Sequence, residues 1–198
     1  IGDMVECPHM GTPTNSRDRF RILSALLQAK TLRQFDERLQ QELTPLLDCD
    51  VIGLYLYSER TTSFSPVSES LCNPTSPAYS IAQLPAAGTI KEAAVLAGQA
   101  IVTDDLSASP WTEAQAIDPN ISRSTSVVVS PIRIPSESMT GATAKTLAVM
   151  VAVSIGKPGI FSEEDRLFLD LLGLHIAPVL TAVLAAEERD TLVAINNQ

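Results

Sequence analysis

Leu147-Ala-Val-Met-Val-Ala-Val153, then Ser154-Ile-Gly-Lys-Pro-Gly-Ile160, then Phe161-Ser-Glu-Glu-Asp165, is the stretch whose reading decides the fold. Its first seven residues are apolar at every position and rich in β-branched side chains. That pattern predicts a strand buried on both faces. Gly156, Pro158 and Gly159 break it. Ser162 has the chemistry of a helix N-cap, and Glu163, Glu164 and Asp165 fall in the first turn, where the helix dipole favours carboxylates. From Leu167 to Ile176 apolar residues recur at helical spacing, so a buried strand feeds a sharply capped amphipathic helix.

Working outward, residues 125–134 predict a strand, with Pro131 marking an edge or a bulge, and 135–144 a polar hairpin loop. Val51-Ile-Gly-Leu-Tyr-Leu-Tyr57 predicts another strand, 58–62 a hairpin connection, and 64–68 the returning strand. Two amphipathic helices precede them, 16–30 and 32–47, with Pro45 near the end of the second. The middle of the chain reads as a loop at 69–80, a short strand at 79–83 and a helix over 90–97. Gly88-Thr89 opens that helix and Gly98 closes it. A strand at 99–103, a short helix at 109–117 starting on Ser109-Pro110, and an irregular stretch at 118–124 follow. Residues 1–15 read as a flexible tail, 16–186 as one domain and 187–198 as a helical linker.

The chain has 198 residues and a formal net charge of −9, with 45% hydrophobic and 19% charged residues, a composition that can build a globular core. The acidic balance argues against a nucleic-acid partner and against an anionic membrane surface, since both require basic patches. No continuous apolar run approaches the roughly 18 residues of a membrane span, so no membrane is expected. Cys7, Cys49 and Cys72 are an odd number without tight spacing, which argues against a disulfide framework and points to the cytoplasm.

Four segments together resemble the GAF family of sensory and dimerising modules. They are Phe161-Ser-Glu-Glu-Asp165 with its apolar helix, 49–58 as first strand, 88–105 as a glycine, helix, strand and Asp, and 123–131 as an apolar strand ending in Pro. PAS domains are the nearest competitor, with a different element order. The resemblance implies an α+β fold: a central, mostly antiparallel sheet with the terminal helices on one face and shorter middle helices and loops on the other. It also implies a regulatory module of a larger signalling protein, such as a histidine kinase, a cyclase or a transcription activator.

On the first strand, period two puts Gly53, Tyr55 and Tyr57 on one face and Ile52, Leu54 and Leu56 on the other. The aliphatic face should meet the terminal helices. In the resembled family a ligand sits between the sheet and the middle segment, here roughly 72–124. The resemblance therefore implies Gly53, Tyr55, Tyr57 and Trp111 as ligand-binding residues for a small molecule. The alternative is that the tyrosines are core rings and Trp111 a packing anchor.

Other chemistry of the family is incomplete. Ser154, Ile155 and Arg166 stand at positions of its cyclic-nucleotide motif, of which only Phe161 and Asp165 match. No Cys-His pair for a bilin occurs in the middle segment. His9 and His175 are too scattered for a haem or a metal site. The free methionine-(R)-sulfoxide reductases of this family carry cysteines where this chain has Ala87-Gly-Thr-Ile-Lys91. The expectation is thus no cofactor, no metal and no enzyme.

A parallel homodimer through the terminal helices is expected, with Leu169, Leu172, Ile176, Val179, Val183 and Ala186 as a heptad-like seam. Leu167, Leu171 and Leu174 form a second apolar face, and Phe20, Leu23 and Leu27 a stripe on the first helix. An output domain joined beyond Gln198 is the expected covalent partner. A GAF-fold enzyme on a small metabolite and a ligand-free dimerisation scaffold are the alternatives.

Overall fold

In the computed structural model, residues 16–67, 87–111, 125–134 and 144–196 are described. The expected tail at 1–15 with Cys7 and His9, the strand at 79–83, Cys72, the hairpin loop at 135–143 and residues 112–124 lie outside them.

Helix α1 is Ser16–Leu26 and α2 is Leu32–Leu47. The first helix is shorter than its pattern predicts. Thr31 must be extended to cap α2, where its hydroxyl accepts the Gln34 N–H at 3.2 Å, so the chain leaves the helix before it. Pro45 stays inside α2 without ending it. Strands β1 (Val51–Ser58) and β2 (Ser63–Pro66) form a hairpin, α3 is Ile90–Ala97, and β3 is Ile101–Thr103. A 3-10 turn at Leu106–Ala108, capped by Asp105, stands just before the expected 109–117 helix, and Ser109 and Pro110 are not helical. Strands β4 (Thr125–Ile134) and β5 (Lys145–Ile155) lead to α4, Glu163–Asn196.

The five strands are ordered β2-β1-β5-β4-β3, and every neighbouring pair is antiparallel. Strand β3 pairs only with Val127–Val129, so β4 has a single partner at Pro131, which suits an imide without an N–H. The expected irregularity near Pro131 appears as a register shift between Ile132 and Arg133.

Each face of the sheet carries its own core. Against α1, α2 and α4 lie Ile52, Leu54, Val128, Ile132, Ala148, Met150 and Ala152. Against α3 lie Tyr55, Val127, Val129, Val149, Val151 and Val153. The first face is the one predicted to be aliphatic. Gly173 brings α4 close to β4: a Cβ there would lie 3.0 Å from the Pro131 carbonyl oxygen.

Two expectations about α4 need correction. Its heptad-like residues Leu169, Leu172, Ile176 and Val183 are buried in the domain's own core, because the sheet claims that stripe. The outward apolar residues are Leu167, Leu171, Leu174, Leu192, Val193 and Ile195 on α4, with Phe20 on α1 and Leu27 just after it. Also, Glu163–Ile195 is long and apolar enough by composition to cross a membrane, contrary to the sequence reading. Gly173, His175, Pro178 and Thr181 interrupt the stretch between Asp170 and Glu187, which hides this from a count of continuous apolar residues. Packing on the sheet and on α1 and α2 takes up part of that apolarity: 44% of the window is buried. Pro178 lies within α4 and does not end it.

One buried carboxylate joins the helical layer to the sheet. On the β2 side of β1, the Leu54 carbonyl accepts from Val67 N–H at 2.9 Å, and the Leu54 N–H donates to Asp36 Oδ1 at 2.8 Å. Gln40 donates to the other oxygen at 2.6 Å. Asp36 thus satisfies a strand donor at the point where the β2 ladder has ended at Pro66. Asp36→Ala should lower unfolding stability by about 2 kcal/mol, because the Leu54 donor is then buried without a partner. Asp36→Asn, which keeps an acceptor, should cost less. Urea unfolding of both variants is the check, and equal losses would contradict this role.

Candidate functional site

The α3 side of the sheet is where the sequence-predicted residues converge. Gly53 pairs with Val151 and Tyr55 with Val149, so both follow the β5 valines on that face. Tyr55 is fully buried among Ile90, Ala94, Val127 and Val149. Tyr57 sits further along β1, half-exposed, its ring centroid 5.1 Å from that of Phe64 on β2. Trp111 packs on the margin of the same cluster, beside Ile101. Trp111 lines an open groove of about 580 Å³ between Ile101–Asp105 and Phe161–Glu163, whose lining among the described residues does not include Gly53, Tyr55 or Tyr57.

The residue that sequence reasoning missed is Lys91. It lies in the first turn of α3, is fully buried, and holds its Nζ 5.1 Å from the centroid of the Tyr55 ring and 5.9 Å from that of Phe64. A cation over two ring faces is attracted by their quadrupoles, more strongly where water is excluded. The helix start aims it there. Thr89 caps α3 by accepting the Glu92 N–H at 3.2 Å, and Glu92 accepts the Gly88 N–H at 2.8 Å. Those bonds fix the phase of α3, so that Ile90, Lys91 and Ala94 face the sheet. The signal was present in the sequence: Lys91 lies three residues before Ala94, on the apolar stripe.

The strand-to-helix junction is tightly held. The Ile155 N–H donates to Asp50 Oδ2 at 2.7 Å, and the Ser154 hydroxyl lies 3.5 Å from the same oxygen. Ser162 caps α4 as predicted: it accepts the Asp165 N–H at 3.2 Å, while its own N–H donates to Asp165 Oδ2 at 2.8 Å. Arg166 is engaged by Glu163 at 2.6 Å and by Asp170 at 3.1 Å. Its bond to Arg166 lowers the Glu163 pKa, and the same bond raises that of Arg166.

Among the described residues, no three His, Cys, Asp or Glu side chains come together as a metal site. Cys49 is the only cysteine among them. Burial pushes its thiol up to about 12, against a weaker opposing effect from its backbone hydrogen bond, with the neighbouring Asp50 and Asp48 adding to the rise. It is a packing residue in the helical core, held as a neutral thiol.

Solved structures place this architecture. The chain superposes on the GAF domain of an Acinetobacter phosphoenolpyruvate-protein phosphotransferase with a TM-score of 0.61 at 15% identity, over 87% of this chain and 96% of that one. It matches the free methionine-R-sulfoxide reductase of Neisseria meningitidis, solved with its substrate, with a TM-score of 0.61 at 16% identity, over 92% and 99%. The GAF domain of the cyanobacteriochrome TePixJ gives 0.58 at 14% identity, over 80% and 94%. No family model and no curated protein matches the sequence.

The chain has the GAF fold. That fold serves domains of signalling proteins and also enzymes. The expectation that the chain is no enzyme is therefore corrected: several reductases share its architecture, and a cysteine-free 87–91 stretch does not exclude catalysis by other residues.

The state of Cys49 is open to a direct check. In a Cys7→Ser, Cys72→Ser background at pH 8, Cys49 should react with a thiol reagent only as fast as the domain opens. Modification at the rate of an unfolded peptide thiol would contradict its placement.

Proposed function

We propose that this chain is a cytoplasmic sensory module that binds a small molecule on the α3 side of its sheet and regulates an output domain joined to it. The observation that carries this reading is the contrast between the two cores. The helical side of β1 presents only Ile52, Leu54 and Leu56, whereas the α3 side places two phenols and the Lys91 ammonium around one aromatic cluster. Buried cationic and phenolic groups beside an aromatic cluster suit recognition of a ligand. Gly53, Tyr55 and Tyr57 are the proposed contacts on the sheet, with Trp111 at the margin. The GAF domains of signalling proteins among the similar structures favour the regulatory role.

The module acts as a homodimer in this reading. Phe20, Leu27, Leu167, Leu171 and Leu174 are exposed apolar side chains of the terminal helices, and a second copy is the simplest cover for them in an acidic chain.

Two measurements test these claims. A thermal-shift screen against small metabolites should find a stabilising compound. Tyr55→Ala should then weaken it at least about tenfold, which removes roughly 1.4 kcal/mol of ligand stabilisation. Hits indifferent to Tyr55→Ala would defeat the placement of the site. In sedimentation, the wild-type chain should be a dimer at tens of micromolar, and Leu167→Glu with Leu171→Glu should make it a monomer. A wild-type monomer would end the dimer claim.

A further inference from the structure

Strand β3 is short and lies at the sheet edge, with only Ile101, Val102 and Thr103 in its ladder to β4. Three residues of ladder hold an edge strand weakly. Its other anchors come from the segment that starts α4 and from Ser126 of β4. Before the strand, the Ala100 N–H donates to Asp170 Oδ1 at 2.6 Å, and Arg166 Nη1 lies 3.5 Å from the Ala100 carbonyl oxygen. After it, the Asp104 carbonyl oxygen accepts the Gly159 N–H at 3.2 Å and the Ser126 hydroxyl at 2.8 Å. Both ends of β3 are thus tied to residues that bracket the start of α4.

Upstream, the same junction is fused to α3. That helix ends at Gly98, whose φ is +64° and whose N–H returns to Ala94 and Val95. A Cβ at Gly98 would come within 2.5 Å of Arg133 Nη1, so the turn sits directly on that guanidinium. Only Gln99 then separates the cap of α3 from the bond to Asp170. Helices α3 and α4 pack on opposite faces of the sheet. The Ala100 junction passes around its edge and bonds one to the other.

We infer that the Ala100–Asp170 bond couples α3 to α4, so that a change in the seating of α3 on its face alters the hold on the first turns of α4. This rests on the reading above that α3 borders a ligand site, for it names how occupancy of that site reaches the other side. The coupling is reciprocal, as linkage requires. Asp170 is a positioning residue: one carboxylate oxygen holds the Ala100 N–H and the other holds Arg166 at 3.1 Å.

Hydrogen exchange on the full chain, without ligand, tests the coupling. Thr89→Ala with Glu92→Ala strips the cap of α3, and Glu92→Ala alone is the milder perturbation. Amides of α4 between Arg166 and Ile176 should then exchange about fivefold faster, the factor corresponding to the roughly 1 kcal/mol of a lost cap. In an Asp170→Ala background the same perturbations should leave those amides unchanged. Asp170→Asn, which keeps an oxygen for the Ala100 N–H, should restore the response. An α4 indifferent to the α3 cap, an equal response in both backgrounds, or no rescue by Asn overturns the inference. No ligand enters this experiment, so its failure is distinct from failure of the metabolite screen.

Discussion

Strand β5 sets the constraint on which the rest of the structure depends. It is hydrogen-bonded on both edges, to β1 and to β4, and buried on both faces from Ala148 to Val153. Such a strand cannot be left open on any side, because each uncovered valine forfeits about 1.5–3 kcal/mol of burial. Two neighbouring strands and two covering layers follow from that one requirement. Its side chains also divide between the layers. Ala148, Met150 and Ala152 face the helices, with Met150 against Gly173 of α4, and Val149, Val151 and Val153 face α3.

The two layers then diverge in chemistry. The helical side is apolar, with Phe35, Phe161 and Phe168 among its aliphatic residues, and there Asp36 reaches the Leu54 N–H in a polar contact that serves the sheet itself. The α3 side gathers aromatic rings about an ammonium group. A buried cation is costly to desolvate and adds little to stability that a methionine could not supply. Its presence on one side only is the chemical difference between the two layers.

Much of this was legible in the sequence, and the misses have a common physical origin. Alternation along Val51–Tyr57 assigned both faces of β1 correctly, since a strand buried on two sides leaves no freedom of phase. The caps of α3 and α4 were legible from Thr89 and Ser162 because side-chain acceptors at helix starts satisfy donors that nothing else can reach. Asp36 and Lys91 were overlooked because an apolar-stripe reading discounts charge, although each lies on the buried stripe of its helix, beside Phe35 and Leu39 or Ile90 and Ala94. The seam on α4 was assigned to a partner when the sheet occupies it. Periodicity identifies a face that must be covered and is silent about what covers it.

Helix α4 has 34 residues, and the domain grips it from Phe168 to Val183. Asp170 and Arg166 hold the main chain of Ala100, and Gly173 rests against the Pro131 carbonyl. Further along, Glu187 accepts the Leu32 N–H at 2.7 Å, and residues 188–195 stand exposed. From Glu187 to the far end is about 14 Å at the rise of an α-helix. That exposed arm is a cantilever clamped at Glu187. Its direction is set by the packed span from Phe168 to Val183, so it reports the seating of that span and not a motion of its own.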